Sequence, residues 1–337
     1  MRDWDLELLW CLGFGTWCFF LTPMRLLSLL ALVACTTVHA QDLALNTLLI
    51  DGEDWKVVAE GLGFADGPMT DADGNFLYCD MRGEQAGIYK IALDGTKTKL
   101  SDESVSGMKL GPDGRLYCCQ GSKKRVVAID LATKQVEVLT EDVQPNDLAM
   151  SHRGHIYFTE TGKKQVTFLD AKTKEKRVAD TGITKPNGIA LSPDQGTLAV
   201  SDMGGENTWT FRVEADGSLS AKAPYMAMRM PIDPEGKSES GKAPPVKSAS
   251  GGDGMTTDAA GRYYVTSALG VQVFDPTGRM CGVLPKPQLD KPLTSCALAG
   301  PGLSYLYITN GDKIYRRKVQ AVGHFTARPP VASAGKK

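Results

Sequence analysis

Short apolar runs alternate with polar turns along most of this chain, and six segments share one layout. They read FADGPMTDADGNFLYCD (64–80), VSGMKLGPDGRLYCCQ (105–120), QPNDLAMSHRGHIYFTE (144–160), KPNGIALSPDQGTLAVSD (185–202), GGDGMTTDAAGRYYVTS (251–267) and, more loosely, LTSCALAGPGLSYLYITN (293–310). Each is an apolar stretch, a turn containing Gly, and a second apolar stretch ending in small or polar residues. Two β-prone runs around an Asp-Gly or related turn predict a hairpin. Runs such as GIYKIALDG (87–95), RVVAIDLAT (125–133), QVTFLDAKT (165–173) and GVQVFDPTG (270–278) lie between the units and predict outer strands.

The turn glycines Gly74, Gly114, Gly154, Gly196 and Gly261 are 40, 40, 42 and 65 residues apart. A period of about 40–45 residues with short strands belongs to propeller blades, which bury their apolar faces by stacking around an axis. The expected fold is all-β, a six-bladed β-propeller over residues 55–318 with a central divalent-metal site. WKVVAE (55–60) is expected to pair with the last blade near IYRRKV (314–319) and close the ring. Residues 1–40 read as a signal-peptide region, 41–54 as a linker and 319–337 as a C-terminal tail, with a frayed end after Gly323.

The repeat also aligns chemistry. Counting back eight positions from the turn glycines, or nine where Gln195 adds one, gives Asp66, Ser106, Asn146, Asn187 and Asp253. Thr294 or Ser295 takes the place in the sixth unit. Residues at one register of the innermost strands project around one level of the channel. A lone Asn or Asp there is explained by turn hydrogen bonding to local backbone. Four oxygen donors in six equivalent positions point instead to a metal, with Asp66, Asn146, Asn187 and Asp253 as ligands. Two carboxylates and two amides form a hard-oxygen set, which suits Ca²⁺ first and Mg²⁺ or Mn²⁺ next. Zn²⁺ remains possible, although the set has no His or Cys. The Asp71/Asp73 pair lacks the glycine and glutamate of an EF-hand loop and reads as a hairpin turn.

Composition adds the compartment. A formal net charge of −1 without a basic run argues against a nucleic-acid partner. MRLLSLLALVACTTVHA (24–40) has a basic start, an apolar core and a small-residue end, the layout of a secretory signal. Met24 is the expected true start, because Asp3, Asp5 and Glu7 precede it where a signal prefers positive charge. Export is expected, to the periplasm or medium, with cleavage after Ala40 or lipid anchoring at Cys35, and with no membrane span in the mature chain. Cys79, Cys118, Cys119, Cys281 and Cys296 remain after such cleavage, an odd number with no zinc-site spacing. Buried thiols are the expected reading, although Cys79 and Cys119 share a register that a bridge would suit. Tyr225–Ser250 is polar and rich in Pro, Gly, Ser and Lys, a loop that ends at Gly251-Gly252-Asp253 and reads as a pocket rim or an inert insertion.

FADGPMTDADGNFLY, QPNDLAM, KPNGIALSPDQGTLAVSD, GGDGMTTDAAGRYYVTS with LGVQVFDPTGR, and LTSCALAGPGLSYLYIT resemble the senescence marker protein/gluconolactonase family of six-bladed, metal-dependent propeller hydrolases. In that family the first ligand is usually the Glu of a Glu-Gly-Pro triplet, which Asp66-Gly67-Pro68 matches with a shorter carboxylate. The resemblance implies the same four ligands that the repeat picks out. It also implies that Asp253 is the general base and places Gln144 near substrate. Asp147, Glu160, Asp202 and Asn207 end strands or begin loops near the same face, where each reads as a substrate contact or a solvated turn residue. Gln144 stands where animal lactonases carry a sugar-gripping Arg, so the substrate class is open. The expected activity is hydrolysis of a sugar or related lactone. Alternatives are another propeller esterase or phosphotriesterase, a strictosidine-synthase-like enzyme, or a non-catalytic propeller plugged by calcium. No Ser-His-Asp arrangement and no phosphate loop is visible.

Overall fold

A computed structural model of the protein describes residues 45–233, 235–236 and 245–328. The signal segment and Cys35 lie outside the described residues. Twenty-four strands, β1 to β24 in chain order, make six four-stranded antiparallel sheets, with no α-helix among the described residues. This is the expected six-bladed β-propeller.

The innermost strands are β2 (Ala65–Thr70), β6 (Gly107–Leu110), β10 (Leu148–Met150), β14 (Pro186–Leu191), β18 (Met255–Thr257) and β22 (Leu293–Ala299). Each pairs with a second strand: β3 (Phe76–Asp80), β7 (Leu116–Gln120), β11 (His155–Glu160), β15 (Thr197–Asp202), β19 (Tyr263–Ser267) and β23 (Tyr305–Asn310). These second strands are buried on both faces, and β3 has no exposed position at all. The fourth strands face water, as in β5 (Lys97–Ser101), whose first three residues are exposed.

Each blade's faces explain the doubly apolar runs. There is no common core; six apolar clusters lie between neighbouring blades instead. Successive side chains of a strand point to opposite faces. Cys118 therefore packs toward the first blade with Met69 and Leu77, and Cys119 packs toward the third with Leu148 and Phe158. The cysteines at 79, 118, 119 and 296 are buried thiols, and no disulfide occurs among the described residues. Burial pushes the Cys79 and Cys296 thiols up to about 12.

The ring closes as expected. Strand β1 (Lys56–Ala59) pairs antiparallel with β24 (Lys313–Lys318), placing Lys56 opposite Arg316. Residues ahead of β1 also dock, because Leu48 is buried in the cluster between blades five and six. The tail departs from the expected fraying. Gly323 N–H donates to Leu303 O at 2.8 Å, Gln195 Nε2 to Thr326 O at 2.8 Å, and Arg328 Nη2 to Ala72 O at 3.3 Å. Residues 324–328 lie across one end of the central channel, where Phe325 packs among residues of the inner strands.

Candidate metal centre

All four expected ligands stand at the same end of the inner strands, and the backbone shows why. In β2, β14 and β22 the ladder is interrupted by a bulge, between Asp66 and Met69, Pro186 and Ile189, and Leu293 and Ser295. In the other three blades the inner strand begins just after the ring position. A bulge or a strand start frees the residue from the ladder and re-aims its side chain.

Side-chain hydroxyls fix the ring positions from the preceding blade. Thr159 Oγ1 donates to Asn187 O at 2.5 Å, Ser201 Oγ to Asp253 O at 2.8 Å, and Thr266 Oγ1 to Thr294 O at 3.1 Å. The series identifies Thr294, not Ser295, as the sixth ring residue. In blade two the equivalent donor is replaced by Cys119, and Ser106 Oγ donates to Asn146 O at 2.6 Å.

Glycine follows four of the six ring residues because the next blade leaves no room. A Cβ on Gly188 would lie 2.2 Å from Asp253 O, and one on Gly254 2.0 Å from Ser295 Oγ. At Gly107 it would meet Asp147 Oδ1 at 2.5 Å. The third and sixth blades are the exceptions, since Asn146 is followed by Asp147 and Thr294 by Ser295.

Asp66 accepts from Gly67 N at 2.9 Å. Asn187 donates through Nδ2 to Met203 Sδ at 3.4 Å. Burial raises the Asp66 carboxyl above the usual range, and the negative charge of Asp147 adds to this against the Gly67 amide. Asp253 is raised by burial first, then by the charges of Asp66 and Asp147. Two acids raised by burial and by neighbouring negative charge, with two amides beside them, are the donor set a hard divalent cation would relieve. A cluster of three or more His, Cys, Asp or Glu side chains does not occur among the described residues, and the ring with its two acids and two amides is of a different make.

The expected substrate contacts divide. Gln144 is exposed at the rim. Glu160 is 1 % exposed and fully engaged: Oε1 accepts from Gln144 N and Lys163 Nζ at 2.8 Å each, and Oε2 from Gln165 Nε2 and Thr167 Oγ1 at 2.6 Å each. Burial alone would raise its carboxyl, yet these donors, Lys163 foremost, hold it below the usual range. Asp202 accepts from the backbone N–H groups of Thr184, Lys185 and Gly204 at 3.1, 2.8 and 3.1 Å. Asp80 does the same for Gly63 and Phe64 in blade one. The carboxylates of Glu160 and Asp202 are thus anchors for the loops that enter the inner strands, which leaves them little capacity for substrate.

Two residues join the site that the repeat did not single out as ligands. Asp147 is buried, with Oδ1 accepting from Leu148 N at 2.8 Å and Oδ2 from Ile189 N at 3.3 Å; burial raises it, while Lys109 and these amides oppose the rise. Lys109, on β6, is the cation that acts on both Asp66 and Asp147. The signal for Asp147 was the missing glycine of the third repeat. Lys109 carried none, since a lysine in a strand reads as a solvated position.

Comparisons with known proteins agree with this architecture. A gluconolactonase of Zymomonas mobilis is 23% identical over 304 residues, covering 80% of this chain and 82% of that protein. A solved gluconolactonase from Xanthomonas campestris superposes with a TM-score of 0.66 at 23% identity, covering 82% of this chain and 92% of the other. Regucalcin from Agrobacterium tumefaciens, a calcium-binding protein, gives a TM-score of 0.64 at 17% identity, covering 81% and 96%. The family model for the SMP-30/Gluconolactonase/LRE-like region matches residues 64–312, and this chain belongs to that family.

Proposed function

We propose that the protein is a metal-dependent lactonase that opens a sugar or related lactone. The observation that carries this is the ring itself: Asp66, Asn146, Asn187 and Asp253 in equivalent places on the inner strands, with both acids raised by burial and by neighbouring carboxylates. The gluconolactonase relatives favour a lactone over other esters. Calcium is the metal best matched to the donors. Bound there, it would supply Lewis-acid polarisation of the substrate carbonyl.

The chain's own groups account for the rest. Asp253, only partly exposed and held above the ordinary carboxylate range, would take the proton as water adds to the carbonyl carbon. The ring C–O bond then breaks, the leaving oxygen takes up a proton, and a hydroxy acid results. Asp66, held by the Gly67 amide, serves mainly as a ligand. Gln144 at the exposed rim is the polar group offered to the substrate.

The test is hydrolysis of a panel of aldonolactones and simple esters by residues 41–337, with and without chelator. Turnover that chelation abolishes and calcium restores supports the proposal. Loss of stability on chelation with no turnover at any metal load supports a calcium-plugged binding propeller instead. Export is a further part of the proposal, resting on residues 24–40. Mass analysis of the exported protein should give a start at Gln41 or a lipidated Cys35, and retention of residues 1–34 would defeat it.

A further inference from the structure

An apolar side chain touches the ring from the turn after β15. Met203 follows Asp202, the last residue of that strand, and its N–H donates to Lys185 O at 2.9 Å. Its Sδ accepts from Asn187 Nδ2 at 3.4 Å, yet the residue is 40 % exposed. The thioether thus reaches a ring residue and still presents apolar surface to water. The polar segment 228–250 docks on the same turn. Met228 N donates to Glu206 O at 2.8 Å and Ser250 N to Gly205 O at 3.0 Å, so both its legs stand on residues just after Met203. Between the legs, Asp233 N donates to Pro245 O at 2.8 Å and Lys247 N to Pro231 O at 2.9 Å, on either side of a bridge from Ile232 to Val246. Residues opposed in this way turn their side chains to one face of the ribbon. Ile232 and Val246 are 60 % and 55 % exposed, two β-branched side chains held in water.

Single exposed apolar residues are ordinary, whereas three on one turn and the ribbon it anchors make a surface. Groups that could bind hydroxyls are taken up nearby: Asp202 accepts from loop N–H groups, and Glu160 from Gln165 and Thr167. We propose that Met203, supported by the Ile232–Val246 pair, is a specificity-determining contact that receives a hydrocarbon substituent on the lactone ring. The assignment deepens the lactonase reading above and rests on it. A lactone held at the ring by its carbonyl lies within reach of the side chain that touches Asn187. A chain on the lactone then covers the thioether, and both lose apolar contact with water. A polyhydroxylated lactone in the same place would give up water from hydroxyls that the thioether bonds only weakly. Methionine suits the task, being unbranched, polarisable and able to follow chains of different shape.

δ-Decalactone and glucono-δ-lactone share a ring size and differ in carrying a pentyl chain or hydroxyls; δ-valerolactone carries neither. With the calcium-loaded protein, kcat/KM for δ-decalactone should exceed that for either of the others by on the order of tenfold. In Met203→Gln, which keeps the length of the side chain, the ratio of δ-decalactone to δ-valerolactone should fall by about tenfold. Met203→Leu should hold that ratio near the native value, since it keeps the apolar bulk. Ile232→Ser with Val246→Ser should lower the ratio by less, and a ratio untouched by that pair removes the ribbon from the proposal. Equal or faster turnover of glucono-δ-lactone by the native protein would overturn the assignment, as would an unchanged ratio in Met203→Gln. It is overturned too if Met203→Gln weakens calcium binding in titration calorimetry and slows all three lactones alike, because Met203 then only props Asn187. Turnover of none of the three at any metal load defeats the lactonase reading itself, and the substrate assignment falls with it.

Discussion

At the scale of single residues, the two ring acids are expected to behave differently. Asp253→Asn removes a proton acceptor along with a ligand charge, so hydrolysis should fall by at least about a hundredfold and excess calcium should not restore it. Asp66→Asn should mainly weaken the metal, so high calcium should recover part of its activity by mass action. Steady-state rates across a calcium series distinguish the two, and equal recovery would make Asp253 a ligand only. The raised carboxyls also fix a pH dependence. In the metal-free protein Asp66 and Asp253 keep protons that the unfolded chain releases near about 3.9, so the folded state binds more protons. Stability should therefore decline as pH rises from about 4 through their elevated range, and calcium should offset the decline above it. A melting series in which the Asp66→Asn/Asp253→Asn double variant keeps the native slope would contradict this. The ring positions were legible because the repeat aligns them. The demotion of Glu160 and Asp202 was not, because a carboxylate that caps its own loop has the same sequence as one that waits for substrate.

Among the elements, the inner strands matter most, and their glycines are tied to the ring by contact. Gly188→Ala would press a methyl group onto the carbonyl of Asp253, a backbone atom with little freedom to yield. We expect a loss of about 1–3 kcal/mol in stability, together with weaker calcium binding, read by denaturant unfolding and calorimetry. Gly114→Ala has open space around it, so its cost should come from its left-handed backbone alone, with the metal affinity unchanged. Hairpins and their turns were readable from Asp-Gly signals and alternation. The bulges at Asp66, Asn187 and Thr294 were not, since register slips arise from blade-to-blade packing that no local pattern encodes. The tail was misread for a similar reason: its short, proline-bearing sequence has no strand pattern, and only the open end of the channel gives it a place to pack.

For the molecule as a whole, that tail makes the channel single-ended. His324 sits beneath it with Nε2 2.8 Å from Thr257 Oγ1, and Thr257 donates its own proton to Leu191 O at 3.0 Å, so the imidazole is the donor. Burial lowers the His324 pKa, so the folded form resists protonation. Its contribution to stability is present above the unfolded value of about 6.5 and is lost as pH falls below it. Limited proteolysis should accordingly cut between Val322 and Arg328 faster at pH 5.5 than at pH 7.5, and His324→Gln should flatten that difference. Blade number and closure were readable from the period and from the two half-matching termini, because a ring leaves that mark on both ends of a chain.

Closure also bears on how the chain must be made. The pairing of Lys56 with Arg316 joins the first strand to the last, so the sixth sheet, whose outer strand is made first, cannot be completed until synthesis is nearly over. Contacts that distant in sequence form late, and long-range strand pairing is slow. A product that stops before Leu293 retains β1 without its partner strand and leaves an open face on the first blade. Both are templates for pairing with another chain. Prematurely ended chains should therefore be found in the pellet, associated with one another, and not as soluble propellers with fewer blades.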